Sequence, residues 1–238
     1  VEFWAEDTKF CWDGVAARAE WIALKQISLG KVTFTNSNNA AIVTEYDVDY
    51  LIPAEQKIGV SVSYSTGTGA KPLTVDIPKA LKLGKKLYGA TYKFLFMNVD
   101  TFEKFASQEE VYKKCASFVQ NVVGSQDAPD LATVNAYLAK KKELYRGLQI
   151  IVIDQDITLE LADGSRLTEN PFEDDVMLFS ESKVLGNTYW KKPIDAKAMP
   201  GSVAEKVMHG HTLVKKYSNE SPVQEVTEGI ANLFPAWN

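Results

Sequence analysis

One long helix is predicted for residues Asp13–Lys31, whose sequence is DGVAARAEWIALKQISLGK. Four alanines give this run a high intrinsic helix propensity. Asp13 is a favourable N-cap because its carboxylate can accept hydrogen bonds from the free N–H groups of the first turn. Gly30 suits the left-handed position that commonly ends a helix. A helix of this length must be a central element of whatever fold the chain adopts.

The predicted helix has an unusually broad apolar surface. Between its ends only Arg18, Glu20 and Lys25 are charged. Its apolar side chains lie on two sides, with one set formed by Val15, Ala19, Ile22 and Ala23 and the other by Trp21, Leu24 and Ile27. A helix with so little polar surface is usually covered on several sides, by its own domain or by neighbouring chains.

Composition excludes several classes of protein. The 238 residues are 45% hydrophobic and 24% charged, which is typical of a folded globular chain rather than a disordered one. The net charge of −5 argues against a dedicated nucleic-acid binder, which concentrates basic residues. Two distant cysteines, Cys11 and Cys115, predict neither a disulfide framework nor a metal site. We find no membrane-spanning run and no signal peptide, and the start at Val1 predicts a gene product that extends further upstream.

The chain after the helix reads as β-rich. Strand patterns are predicted at Val32–Asn36, Ala41–Tyr46, Val48–Ile52 and Lys57–Ser65, with a polar turn at Ser37–Asn39. The last of these strands alternates cleanly, because Ile58, Val60, Val62 and Tyr64 share one face. We therefore expect an extended β arm around the helix.

Helices and short buried strands alternate in the middle of the chain. A helix at Lys79–Tyr88 precedes a strand at Lys93–Met97, and two capping boxes are predicted at Asp100/Glu103 and Ser107/Glu110. Further elements are a helix capped by Asp130, strands at Leu148–Asp154 and Val176–Phe179, and a hairpin around Asp163-Gly164. β character returns at Thr212–Tyr217 and Val223–Thr227. This order predicts an α+β protein.

The histidine pair His209-Gly210-His211 is a candidate metal site. In a strand, residues i and i+2 share a face, so both imidazoles could reach one ion, with a carboxylate such as Asp154 as third ligand. No HExxH helix is present to support zinc catalysis. A solvated loop is the simpler interpretation of this tripeptide.

Other candidate chemistry is equally weak. Asp154/Asp156 and Glu173–Asp175 could form a carboxylate pair or bind a hard cation, but Asp commonly ends strands and forms turns. Ser65–Gly69 (STGTG) lacks the lysine of a P-loop. No G-x-S-x-G elbow is present. We therefore expect no catalysis, no catalytic residue, no cofactor and no bound metal, and an assembly role instead.

The residues around the long helix resemble those of a known family. The run ARAEWIALKQISLGKVTF, followed by IVTEYDVDY, resembles the core of the major capsid proteins of tailed bacteriophages. In that family a long spine helix ends in a small-Gly-Lys-β signature, which is followed by a strand with an Asp-aromatic pattern. Leu29-Gly30-Lys31-Val32, Val48-Asp49-Tyr50 and Leu185-Gly186-Asn187-Thr188-Tyr189-Trp190 occupy the family's signature positions.

The resemblance implies a fold with two parts. Residues 1–75 and 193–238 would form a β-rich peripheral domain that includes the spine helix. Residues 76–192 would form a mixed α/β axial domain. The family also has an N-terminal arm and an extended loop before the helix, and little of either fits in Val1–Trp12, so we expect those parts to be absent. With them gone, we expect some of Trp21, Leu24 and Ile27 to be more exposed than in an assembled shell.

The resemblance also implies a function. It predicts a structural protein that assembles into hexamers and pentamers of an icosahedral phage or prophage head enclosing double-stranded DNA. The implied partners are other copies of the chain, scaffold, portal and possible decoration proteins, and packaged DNA held by weak non-specific contact, with no membrane. The implied location is the virion, after assembly in the cytoplasm of a bacterial host.

Two alternatives stay open at this point. One is a metal-dependent hydrolase that uses His209, His211 and a carboxylate such as Asp154. The other is a cellular nanocompartment shell protein of the same fold, which gene neighbourhood would distinguish from a phage protein.

Overall fold

A computed structural model describes residues 2–35, 46–66, 69–119, 128–160, 163–197 and 204–237. The helices in these ranges are α1 Glu2–Leu29, α2 Ile77–Tyr88, α3 Val99–Ala106, α4 Glu109–Val119, α5 Leu131–Lys140 and α6 Lys142–Tyr145. The strands are β1 Lys31–Phe34, β2 Tyr46–Asp49, β3 Phe94–Asn98, β4 Gln149–Ile153, β5 Ile157–Glu160, β6 Arg166–Glu169, β7 Leu178–Ser180, β8 Gly186–Lys191, β9 Glu205–His209, β10 Thr212–Glu220, β11 Val223–Ile230 and β12 Asn232–Trp237. The chain is therefore a mixed α+β protein.

Helix α1 begins at Glu2, so the predicted start at Asp13 is wrong. Asp13 is exposed in the middle of the helix and caps nothing. The unfavourable pair Asp13-Gly14 costs only about 1–2 kcal/mol of helix propensity, and contacts of the preceding turns with β11 offset that cost. The predicted end is correct, because Gly30 adopts φ +73° and its N–H donates to the carbonyl of Gln26 at 2.8 Å.

Replacing Gly14 by Ala should stabilise the protein by about 0.5–1 kcal/mol. Gly14 lies inside α1 on an exposed face, and an added Cβ would have nothing within 4 Å. Alanine therefore gains helix propensity without a steric cost. Chemical denaturation of the two proteins measures the difference. A variant no more stable than the wild type would contradict a helix that runs through residue 14.

Helix α1 lies along two consecutive strands, β11 and β12. Near its start the Cys11 thiol contacts the carbonyl of Thr227 at 3.5 Å, and near its end the Gln26 amide donates to the carbonyl of Pro235 at 2.5 Å. The 28 residues of α1 make a rod about 42 Å long. Two sheets flank this rod, one of order β11-β10-β9 and one of order β12-β8, both antiparallel.

The apolar sides of α1 are largely covered within this one chain. Trp21 and Ile27 are 6% and 8% exposed, whereas Leu24 is only partly buried. The three side chains are therefore not all fully covered. Trp21 packs in a cluster with Ile22, Val32, Phe34 and Ile157, and Ile27 packs with Phe96 and Phe172.

The largest core surrounds the sheet of order β4-β3-β7. Strands β3 and β4 are parallel, as expected for the near-continuous apolar runs that were predicted here, and β7 is antiparallel to β3. Helices α2 to α6 contribute most of the remaining side chains, among them Leu81, Phe105, Val111, Leu138 and Tyr145. The predicted division into domains 1–75 with 193–238 and 76–192 stays a prediction. Some packing crosses that line, since Tyr64 and Leu73 lie in this core and Ile157 packs against Trp21.

Both predicted capping boxes are wrong. Helix α3 is capped by Asn98, whose side chain accepts from the Thr101 N–H at 2.9 Å, and Ser107 follows the end of α3 instead of starting α4. Asp130 does cap α5, accepting from the Thr133 N–H at 2.8 Å. Asn98 lies two residues before the predicted cap Asp100, and propensity alone does not separate such neighbours.

Glu110 anchors the turn Pro72–Asp76 to α4. Its carboxylate accepts from the N–H groups of Leu73 and Thr74 at 2.9 and 3.2 Å, from the Thr74 hydroxyl, and from Lys114 at 2.9 Å. Burial alone would raise the pKa of Glu110, but the hydrogen bonds from Thr74 and Lys114 lower that pKa below its ordinary value. The charged form of Glu110 is therefore favoured in the folded state.

Replacing Glu110 by Gln should destabilise the protein by about 1–2 kcal/mol at pH 7, since charge-assisted hydrogen bonds are lost. A lowered folded pKa contributes stability above the unfolded value of about 4.3, and this contribution is lost as the pH falls through the folded pKa. The difference should therefore shrink between pH 5 and pH 3 in thermal melts. Glu109→Gln is the matched control, because Glu109 is exposed and forms a surface ion pair with Lys113 one turn away. Equal effects of both changes would contradict the anchoring role.

The predicted strand Lys57–Ser65 is wrong. This segment has no partner strand among the described residues, and short 3₁₀ turns lie at Ala54–Gln56 and Tyr64–Thr66. Buried Asp76 holds it instead, accepting from the Ser61 N–H and the Tyr64 hydroxyl, both at 3.0 Å. β2 also ends at Asp49, before the predicted Ile52. Most of the predicted strand Ala41–Tyr46 and the turn Ser37–Asn39 lie outside the described residues.

Candidate assembly surface

The described surface exposes an edge strand, β8. It pairs antiparallel with β12 alone, in a register from Gly186 opposite Trp237 to Lys191 opposite Asn232. Every residue of β8 after Gly186 is exposed. Tyr189 and Trp190 point to opposite faces of the strand, yet they are 63% and 53% exposed. Large aromatic side chains left open on both faces of an edge strand are typical of a surface that another chain covers.

The outer half of the β10–β11 hairpin is also uncovered. Residues 218–225 are all exposed, and Val223 at the tip is 91% exposed. The inner half is held by α1, where Thr212, Leu213 and Val214 are buried. The hairpin therefore projects beyond the body that anchors it.

Charge differs between these two surfaces. Residues 183–192 carry three lysines, Lys183, Lys191 and Lys192, and no acidic residue. Residues 217–225 carry two glutamates, Glu220 and Glu225, and no basic residue. The segment around β8 is thus locally basic and the hairpin tip locally acidic, in a chain whose net charge is −5.

An ion-pair cluster stiffens the base of the hairpin. The Lys215 amine lies 2.8 Å from Asp195 and 3.0 Å from Glu228. Hydrogen bonds to these two carboxylates raise the pKa of Lys215, and the hydrogen bond from Lys215 lowers the pKa of Asp195. Lys215 is thus part of a structural network in the described chain, not of a basic binding patch.

Arg18 is a half-buried cation on α1. Its guanidinium lies 4.4 Å above the Trp21 ring, and its Nη2 atom is buried with no hydrogen-bond partner among the described residues. Burial lowers the pKa of Arg18. Stacking on the indole face compensates part of the desolvation.

The predicted histidine pair lies in a tight turn. His209 ends β9 and pairs with Thr212, so Gly210 and His211 form a two-residue turn, in which Gly210 adopts φ +59°. The two imidazoles therefore do not share a strand face. His209 packs edge-on against Trp12 with ring centroids 5.2 Å apart, and the His211 Nδ1 lies 2.8 Å from the Thr212 hydroxyl. No group of three possible ligands occurs in the part of the chain that the structure describes.

The acidic candidates do not converge either. Asp154 and Asp156 are exposed in the loop after β4. Glu173 lies 3.4 Å from Lys25, Asp174 accepts from the Asn98 amide at 2.5 Å, and Asp175 lies 2.8 Å from Lys104. These carboxylates tie the loop before β7 to α1, β3 and α3. Their roles in the described structure are structural.

The remaining candidates carry no visible chemistry. Cys115 is buried, and burial raises the pKa of its thiol to about 12. Burial and the nearby Asp7 raise the pKa of the Cys11 thiol. Of Ser65–Gly69, residues 67 and 68 lie outside the described residues and Ser65 belongs to a 3₁₀ turn. No described helix is long and apolar enough to span a bilayer.

Sequence reasoning missed the pairing of β8 with β12. Thr188, Tyr189 and Trp190 have high strand propensity, so β8 itself left a signal in the sequence. β12 left less, because Pro235 interrupts its pattern. Proline lacks a backbone N–H, so a strand tolerates it only where that N–H would not pair with a neighbouring strand.

The fold is of a known class. It is a mixed α+β fold in which a long helix lies along paired strands. The chain matches the crystal structure of the "putative capsid protein of prophage (E.coli CFT073)" with a TM-score of 0.53 and 14% sequence identity. The match covers 93% of this chain and 59% of that one. The predicted resemblance to phage capsid proteins is thus confirmed at the level of the fold.

Sequence comparison adds nothing to this structural match. No protein-family model matches the chain, and no curated protein matches it.

Proposed function

We propose that the chain is a non-enzymatic shell subunit, the major capsid protein of a tailed phage or prophage head. The similarity of its fold to a capsid protein carries this proposal. The exposed side chains of Tyr189 and Trp190 on β8 support it, since a shell subunit contacts several neighbours through moderate interfaces.

The proposed organisation follows from the resemblance. Residues 1–75 and 193–238 would form the peripheral domain, and residues 76–192 the axial domain that gathers around the centre of each hexamer or pentamer. The described surface offers unpaired edges and exposed aromatics for such contacts, in particular at β8. Scaffold, portal and possible decoration proteins are the further proposed partners.

The charge of the chain fits the proposed contents of the shell. A capsid lining must enclose double-stranded DNA without binding it tightly, because strong phosphate contacts would hinder packaging and release. A net charge of −5 limits such contacts to weak, non-specific ones. The proposed location is the virion, after assembly in the cytoplasm of the bacterial host.

Electron microscopy of the purified full-length protein tests the proposal. We expect closed shells or separate capsomers, and a sedimentation profile dominated by species far larger than 26.4 kDa. A strictly monomeric full-length protein under all conditions would count against it. Portal, protease and terminase genes beside this one would support a phage head, whereas a cargo-enzyme gene would point to a nanocompartment of the same fold.

A further inference from the structure

We infer that two copies of the chain associate head to tail, with the acidic hairpin tip of one copy seated on the basic, aromatic edge of β8 in the next. The tip is defined as residues 217–225 and the β8 edge as residues 183–192. This inference rests on the proposed function, because it assumes that copies of the chain associate.

The two surfaces are complementary in charge and in apolar content. The β8 edge carries three lysines and exposes Tyr189 and Trp190, while the tip carries two glutamates and exposes Val223. Lys191, Lys192 and Glu220 make no ion pair with a described residue. Glu225 lies 3.8 Å from Lys216 of its own chain, so Glu220 carries the negative charge of the tip that no described cation balances. Complementary charges steer association and fix the register of an interface whose centre is apolar.

The two surfaces cannot meet within one copy. Lys191 pairs with Asn232, and nine residues of extended chain, about 30 Å at 3.3 Å per residue, separate Asn232 from Val223. Helix α1 holds the strands of this stretch apart, since Cys11 contacts Thr227 and Gln26 contacts Pro235. These two helix residues are about 22 Å apart along the axis. The partner of each surface must therefore come from another molecule.

An interface between two different patches has a definite consequence for assembly. Each copy still offers a free tip and a free β8 edge after one contact has formed. Such heterologous contacts build rings where the rotation closes and open assemblies where it does not. A shell of rings is one assembly that this geometry allows.

Charge reversal in the full-length protein tests the inference. One variant carries Lys191→Glu with Lys192→Glu, and the other carries Glu220→Lys with Glu225→Lys. We expect each to lower the assembled fraction at least tenfold in sedimentation velocity, and the four changes together in one chain to restore it. Lys85→Glu with Lys86→Glu, on exposed residues of α2, is the matched control and should assemble like the wild type.

A second measurement does not depend on those variants folding well. In a background with Cys11→Ser, an oxidised mixture of Val223→Cys and Lys192→Cys proteins should give a disulfide-linked dimer that neither protein forms alone. The inference is overturned if the wild type assembles, both charge-reversed variants assemble equally well, and no cross-linked dimer forms. That outcome leaves the proposed function standing. A wild type that never assembles contradicts the proposed function itself.

Discussion

Trp21→Ala should cost about 3–5 kcal/mol of unfolding free energy, the largest effect expected of any change on α1. The side chain is 6% exposed and fills the cluster between α1, β1 and β5. Its indole N–H donates to the Glu169 carboxylate at 2.8 Å. Truncation therefore leaves a cavity, an unpaired carboxylate oxygen and the Arg18 guanidinium without the ring on which it stacks.

Chemical denaturation of Trp21→Ala and Trp190→Ala makes a matched comparison. Both changes remove an indole, but Trp190 is 53% exposed, so its loss should alter stability by no more than about 0.5 kcal/mol. In a protein of 238 residues, a loss of 4 kcal/mol corresponds to a melting temperature lower by about 10 °C. Equal destabilisation by both changes would show that the assigned burial is wrong.

Gly186→Ala should destabilise the protein by about 2–3 kcal/mol, because an added methyl group would overlap with backbone. A Cβ on Gly186 would lie 2.1 Å from the carbonyl oxygen of Ala236 and 3.1 Å from the Cα of Trp237. Neither atom can move unless β12 shifts, and β12 is tied to α1 through the hydrogen bond from Gln26 to Pro235. The change should therefore separate the end of β8 from β12.

Gly59→Ala is the control for this prediction. An added Cβ at Gly59 has nothing within 4 Å, so its effect should be near zero or slightly stabilising. Thermal melting of both variants gives the comparison. A Gly186→Ala protein as stable as the wild type would mean that β8 and β12 are further apart than the structure has them.

Gly30 and Gly186 give part of the resemblance to phage capsid proteins a physical basis. Leu29-Gly30-Lys31 needs glycine because the chain leaves α1 with φ +73°, a conformation that other residues adopt only with strain. Leu185-Gly186 needs glycine because two backbones approach closely. The first requirement follows from the end of a helix and can be predicted from sequence. The second depends on a strand more than 40 residues away and cannot.

Prediction from sequence succeeded for elements whose signal is local. The helix Lys79–Tyr88 and the buried strands Lys93–Met97 and Leu148–Asp154 lie within a few residues of α2, β3 and β4. The Asp130 cap is confirmed by its hydrogen bond to the Thr133 N–H. Each of these depends on propensity, on an apolar run or on a neighbouring residue.

Prediction from sequence failed where contacts with another segment of the chain decide the local structure. Alternation in Lys57–Ser65 is as regular as in any strand of the chain, yet no described strand pairs with it, and the buried carboxylate of Asp76 accepts its hydrogen bonds instead. The sequence alone did not decide whether His209 and His211 share a strand face or lie in a loop, and the register of β9 with β10 places Gly210 and His211 in a turn. A strand needs a partner, and sequence periodicity does not show whether one exists.

By itself, the sequence determined that a long apolar helix, ended by Gly30, dominates an α+β chain with no recognisable active site. The tertiary structure decided that the helix extends upstream of Asp13, which of its faces are covered, and which edges stay open at β8 and at the hairpin tip. The reason is the range of the forces involved. Helix propensity and capping act over a few residues, whereas burial and strand pairing depend on segments that are up to 216 residues away in this chain.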